Sequence, residues 1–211
     1  MDALKDYVMG RMLWNVTLDP DDLIEEFLAG YFGQAAPFIR TYMDTMHGSI
    51  ADTSYYMHEG VPPDAPFLTP MAVLTSAQAF QDALKVVSGI QKSRVDIAKV
   101  SIYYTVLLRW DEMQGFAKNE SISWPLEATK QAAWQEFTRM WNIIGISSTK
   151  EGSCDYACFK KQIFPAETSA ETKEVAGSHL KYMSYCKQVS GCQPLGVHSG
   201  WSLTVCTRYS V

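Results

Sequence analysis

Asp19-Pro20-Asp21-Asp22-Leu23-Ile24-Glu25-Glu26-Phe27-Leu28-Ala29-Gly30-Tyr31-Phe32-Gly33 is the stretch whose reading decides the fold class. Leu23, Ile24, Phe27, Leu28 and Tyr31 fall at i, i+1, i+4, i+5 and i+8, which places them on one face of a helix. Asp19 is a natural N-cap, Pro20 suits the first helical position, and Gly33 follows the end. A strand would need alternation, and there is none here.

The same logic extends in both directions. Upstream, Leu4, Tyr7, Val8 and Met12 mark a helix ending near Trp14-Asn15. Downstream, Ala35, Phe38, Ile39, Tyr42, Met43 and Met46 form a stripe, with Pro37 in the first turn and Gly48 as the expected stop. The short link predicts an αα-hairpin. Thr69-Pro70 opens a further helix carrying Val73, Ala77, Phe80, Leu84 and Val87, with Gly89 as its expected terminator. Residues 92–117 read as one central helix, apolar nearly all round from Ala98 to Trp110 and therefore buried. Ser123 and Pro125 are the expected caps of the next, whose stripe is Leu126, Ala133, Phe137, Met140, Trp141 and Ile144. The expectation is an all-α fold of about six helices packed as antiparallel pairs.

All five cysteines, Cys154, Cys158, Cys186, Cys192 and Cys206, lie in the last third. This predicts a helical domain over 1–147 and a differently built, irregular cysteine-bearing tail over 148–211. In that tail one short helix is expected around Glu171 to Tyr185, and Trp201 to Val205 is strand-like. Cys154 and Cys158 are separated by three residues and Cys186 and Cys192 by five, so neither pair has the C-x-x-C spacing of a zinc site. Disulfides, unpaired thiols and, least favoured, a zinc site all stay open.

Composition narrows the function classes. An apolar share of 47% against 19% charged residues supports a packed core, and a net charge of -5 without a Lys/Arg cluster excludes a phosphate-tracking nucleic-acid surface. The most apolar stretch, Val95 to Trp110, is interrupted by Asp96, Lys99 and Arg109, so it reads as a buried helix and no membrane span is expected. Met1 to Lys5 enters an amphipathic pattern directly, without the basic start and apolar core of an export leader. That fits a cytoplasmic chain or one that starts inside a longer protein, and the second is favoured.

No catalytic constellation is found. Glycoside hydrolysis needs two carboxylates roughly 5 to 10 Å apart across a cleft. Asp111 and Glu112 are adjacent on a helix and point about 100° apart. Asp21, Asp22, Glu25 and Glu26 suit the positive end of their helix dipole. His47, His58, His179 and His198 have no zinc-pair spacing, so neither a metal nor a cofactor is expected. Asn15-Val16-Thr17 and Asn119-Glu120-Ser121 match the N-glycosylation acceptor pattern in inter-helix loops.

Gly48 to Leu68 is about twenty residues without periodicity, longer than compact domains usually carry unless the loop is functional. It holds Tyr55, Tyr56 and His58 ahead of the stiff Val61-Pro62-Pro63. Aromatic rings beside polar groups suit the faces of sugars, so these three are the expected ligand contacts. The competing reading tucks the rings back onto the helices.

Leu4-Lys5-Asp6-Tyr7-Val8, Leu13-Trp14-Asn15, Leu18-Asp19-Pro20-Asp21, the helix from Ile24 to Gly33 and Ala35-Ala36-Pro37-Phe38-Ile39 together resemble a known pattern. It is the C-terminal helical part of an uncharacterised family of glycosidase-like proteins, distantly related to α-glucuronidases and β-hexosaminidases. Here Phe32 stands between the tyrosine and the glycine of that pattern. Arg94 to Leu108 and Phe137 to Gly145 fit the later helices, so the resemblance spans 2–147. It implies a (β/α)-barrel ahead of Met1 that holds the catalytic residues, so none is carried over to this chain. The implied role is that of a non-catalytic helical region supporting the barrel of an extracellular carbohydrate-active protein. Its implied partners are that barrel and an oligosaccharide. The alternative is a free-standing helical protein-interaction module.

Overall fold

A computed structural model describes residues 2–51, 53–56, 61–149 and 154–165. His58, Cys186, Cys192, Cys206 and the two tail elements expected around Glu171 to Tyr185 and Trp201 to Val205 lie outside the described residues. The chain divides into two compact units, Met1–Tyr156 and Ala157–Val211. The fold is all-α, and the described residues contain no β-strand beyond an isolated bridge between Ser148 and Asp155.

The deciding stretch folds as its sequence dictates. Helix α1 is Asp2–Trp14 and α2 is Pro20–Phe32. The Asp19 carboxylate accepts from the Asp21 N–H at 2.8 Å, which satisfies one of the orphan donors at the start of α2. Leu23, Phe27, Leu28 and Phe32 are buried, and Gly33 ends the helix with φ of 57°, a conformation that a side chain would strain. A 3-10 turn, Gly33–Ala35, leads into α3, Ala36–Ala51, which packs on α2. Helix α4, Pro70–Val86, starts at Thr69, whose hydroxyl accepts from the Ala72 N–H at 3.2 Å. Its wide buried face packs mainly on α3.

Several boundaries differ from the sequence reading, each for a local reason. Gly48 does not stop α3, because its backbone stays helical and the Ser49 hydroxyl one residue on donates to the Phe67 carbonyl. Gly89 does not end α4; that helix stops at Val86, and Gly89, with φ of 56°, begins the next one. The run read as one helix over 92–117 is three: α5 (Gly89–Ala98), α6 (Val100–Leu108) and α7 (Trp110–Asn119). The two breaks fall on Lys99 and Arg109, the cations that interrupt the apolar run, and each commits its head group to a partner outside its own helix. Ser123 and Pro125 cap nothing. Trp124 packs edge-on against Trp110, with ring centroids 5.0 Å apart, and its indole N–H donates to the Glu127 carbonyl. The connection stays non-helical until Thr129, which caps α8 (Lys130–Ile144).

Helix α8 buries Ala133, Trp134, Phe137, Met140 and Trp141 and ends on left-handed Gly145. Beyond it, Tyr156 packs on Trp134 and Trp141 at 5.2 and 5.8 Å and shares a hydrogen bond with Thr138. A short helix, α9 (Tyr156–Ile163), stands where the sequence reading expects irregular chain, with Phe159 and Ile163 buried one turn apart. Cys154 and Cys158 are both disulfide-bonded, which removes the zinc and free-thiol readings at those two positions. The centre of the body is α6, where Ile102, Tyr103, Thr105, Val106 and Leu107 are buried, and it packs on α4 and α8.

Candidate functional site

The long loop is tied down along its closing half. Ala65 and Phe67 are buried, and the Arg109 guanidinium donates through Nη1 to the Pro63 and Leu68 carbonyls at 3.2 and 2.5 Å. Its other nitrogens bind Glu112 in a fork at 2.6 and 2.8 Å. Arg109 thus organises the loop, a role announced in the sequence only by an arginine inside an apolar run. Tyr55 is half-buried with its ring 5.4 Å from that of Phe67, whereas Tyr56 is 83% exposed. The two tyrosines therefore sit in different surroundings, one partly covering the loop's own anchor and the other open to solvent.

Both acceptor sequences are exposed. The Asn15 side-chain oxygen accepts from the Thr17 N–H at 3.1 Å and the Thr17 hydroxyl at 2.8 Å, closing a turn directly after α1. Asn119 is the last residue of α7, followed by Ser121 with φ of 55°.

Several carboxylates are occupied as structural partners. Glu25 pairs with Arg40 at 2.8 Å and Glu26 with Arg11 at 3.2 Å, so these two tie helices together rather than only complementing the α2 dipole. Hydrogen bonds from Arg109 hold the Glu112 carboxyl below the usual range against burial, which pushes it up, and the Arg109 charge adds to the lowering. Asp96 and Glu136 belong to a cluster with Lys92, Lys99 and Arg139. Burial pushes both carboxyls up, but the surrounding cations prevail and leave both lowered, Glu136 to about 2. A general acid near neutral pH needs the opposite shift. Next to this cluster the Tyr103 hydroxyl donates to Glu127 at 2.9 Å, and burial, then the Glu127 charge, pushes the phenol far up.

An open groove of about 800 Å³ between α3 and α4 has apolar walls including Phe38, Met71 and Leu74. Its one ionisable side chain, Asp82, is already bonded to Gln78 and Lys85.

A better-equipped hollow lies where α1, α2 and α5 meet. Two cavities of about 350 and 280 Å³ share Phe27, Tyr31 and Arg94 as lining residues. Phe27 stacks on Tyr31 with centroids 4.8 Å apart, and Tyr7 leans on Phe27 at 5.5 Å. Arg94 donates from Nη1 to the Tyr31 carbonyl at 2.7 Å and lies over the Tyr31 ring at 4.0 Å. Arg11 donates to the Tyr7 hydroxyl at 2.7 Å while pairing with Glu26, which lines the same hollow. Sequence reasoning assigns Phe27 and Tyr31 to an apolar stripe and misses this combination of ring faces and charge. Residues 1–44 match a family described as Domain of unknown function (DUF4838). That span holds α1 and α2, which form one side of this hollow, and the first part of α3; it covers 44 of 211 residues and stops well short of the 2–147 expected from the resemblance. No curated protein and no solved structure matches the chain. Among the described residues, no helix is long and apolar enough to cross a membrane.

Proposed function

We propose that this chain is a non-catalytic helical region of a larger carbohydrate-active protein, docking against the catalytic barrel through the exposed end of α1. The observation that carries the docking is one short segment. Leu13 is 82% exposed, Trp14 93% and Val16 82%, and Met9 one turn earlier is 53% exposed. A tryptophan that open to water forgoes a large apolar contribution, and clustered exposed apolar side chains mark interaction surfaces. A first helix that had packed on a barrel is expected to leave Leu4, Val8 and Trp14 uncovered; Leu4 is instead buried and Val8 half-buried, which leaves Trp14 with Leu13 as the centre. The carbohydrate assignment rests on the resemblance of residues 4–39, and the non-catalytic role on Glu25, Glu26, Asp96, Glu112 and Glu136, which are all committed to cations.

The free-standing interaction module draws on the same face, and Asn15 separates the two. A glycan there would stand between Trp14 and any barrel, so a glycosylated Asn15 in the natural protein favours the free module. The direct measurement is sedimentation of the chain over a wide concentration range. Its average mass is expected to rise with concentration, and Leu13→Ser with Trp14→Ser is expected to restore a monomer without altering helix content. A barrel-coding segment upstream in the same gene, expressed separately, should bind the chain and lose at least about tenfold in affinity to the double variant. A strictly monomeric chain, or an upstream reading frame without alternating strands and helices, would sink the proposal.

A further inference from the structure

Among the described residues, Arg11 pairs with Glu26, Arg40 with Glu25 and Asp44, Arg109 with Glu112, and Arg139 with Asp96 and Glu136. Arg94 is the described arginine with no carboxylate partner. It is half-buried and held in place by the Tyr31 carbonyl on one nitrogen and the Tyr31 ring against its plane. A guanidinium has five N–H donors, and one is spent here. The Tyr31 carbonyl belongs to the last turn of α2, so the helix dipole offsets part of the charge, roughly half a unit at most. What remains is a pre-oriented, incompletely balanced cation on the wall of a hollow.

The rest of the hollow specifies the complement. The charged side chains that line the hollow are Arg94 and Glu26, and Glu26 is already paired with Arg11, which is not itself a lining residue, so Arg94 is the lining charge left without an ionic partner. Gly30 sits in the wall, and a Cβ built there would meet nothing within 4 Å, so the space above the helix backbone is open. Around it stand Tyr7, Phe27 and Tyr31. A planar fork matches a carboxylate, and one negative charge suits the one cation left without an ionic partner, whereas a phosphate dianion would bring a second charge towards Glu26. Open space bordered by aromatic rings suits a flat or ring-shaped body.

We propose that the cleft between α1, α2 and α5 binds a small ring compound bearing one carboxylate, with the carboxylate on Arg94 and the ring over Gly30. Carboxylated aromatic rings and carboxylated sugar rings share this chemistry. The site is independent of the docking face at Leu13 to Val16, and failure of either idea leaves the other standing.

Saturation-transfer NMR on the full chain tests it with four probes: benzoate, D-galacturonate, D-galactose and inorganic phosphate. Saturable binding of benzoate or D-galacturonate, or both, is expected, and which acid binds identifies the source of the ring. Two variants locate the site. Gly30→Leu places a good helix former into open space and should fold normally while filling the hollow. Arg94→Lys keeps the charge and the reach to the Tyr31 carbonyl but loses the fork. Each should weaken the acid at least about tenfold, with Gly30→Leu leaving the melting temperature unlowered. No saturable signal from either acid overturns the proposal. So does D-galactose or phosphate binding as well as the acids, or an affinity that Gly30→Leu leaves unchanged.

Discussion

Lys99→Met is expected to destabilise the helical body by about 3 kcal/mol in chemical denaturation at neutral pH. Lys99 is 3% exposed, with Nζ 3.2 Å from Asp96 and 2.8 Å from Glu136. The two oxygens of Asp96 are unequally served. Lys92 and Arg139 both approach Oδ2, at 3.1 and 2.9 Å, while Oδ1 has only Lys99 within ion-pair reach and no well-formed hydrogen bond. Removing the lysine therefore leaves a carboxylate oxygen buried without a partner, and that residue, not the lost attraction, accounts for most of the cost. The companion variant checks the reasoning. Replacing Asp96 by Leu together with Lys99→Met removes the orphan as well, so the double variant should recover at least about 1 kcal/mol relative to additivity. A cost below about 1 kcal/mol for Lys99→Met alone would mean that the fold solvates the cluster in some other way.

The same cluster sets an acid limit. The folded-state carboxyl of Glu136 lies at about 2 and that of Asp96 is also lowered. A depressed carboxyl stabilises the fold above its ordinary value near 4.5 and loses that contribution as pH falls towards the folded value. Unfolding free energy should therefore drop between about pH 4.5 and 2, by on the order of 3 kcal/mol through Glu136. Glu136→Gln should flatten that slope. A wild-type slope identical to that of the variant would remove the cluster from the account of acid stability.

How much of this was legible in the sequence depends on where each partner lies. The ends of α2 and the start of α4 were readable because Asp19, Pro20, Gly33, Thr69 and Pro70 act within a turn of themselves. Gly48 was misread because a glycine stops a helix only where the chain turns left-handed, which depends here on what Ser49 finds in the loop. The breaks at Lys99 and Arg109 hang on Glu136 and on the carbonyls of Pro63 and Leu68, 37 to 46 residues away, beyond any local pattern. Arg94 was not legible. It has no acid three or four positions away, but neither has Arg11, which finds Glu26 on another helix. That it meets Tyr31 and lines a hollow with Tyr7 follows from the packing of α1, α2 and α5, which no spacing within one helix encodes.

Leu107→Ala should cost about 4 kcal/mol, in the upper part of the roughly 2 to 5 kcal/mol seen for such truncations. Leu107 is completely buried on α6, and the size of the loss depends on whether neighbours can close over the missing atoms. Two features oppose collapse. Helix α6 is pinned at its start by Lys99, locked to Asp96 and Glu136, and at its end by Arg109, locked to the loop and to Glu112. With both ends fixed, α6 cannot slide to fill the gap, so most of the cavity should persist. The control is Ile97→Ala on the neighbouring helix, where the side chain is 42% exposed and the expected cost stays below about 1 kcal/mol. Similar losses at the two positions, or a loss at Leu107 below about 1 kcal/mol, would show that α6 is not the rigid centre of the body. Relaxing one pin gives a second reading. In an Arg109→Met background α6 is freer to shift, and Leu107→Ala should then cost measurably less than it does alone.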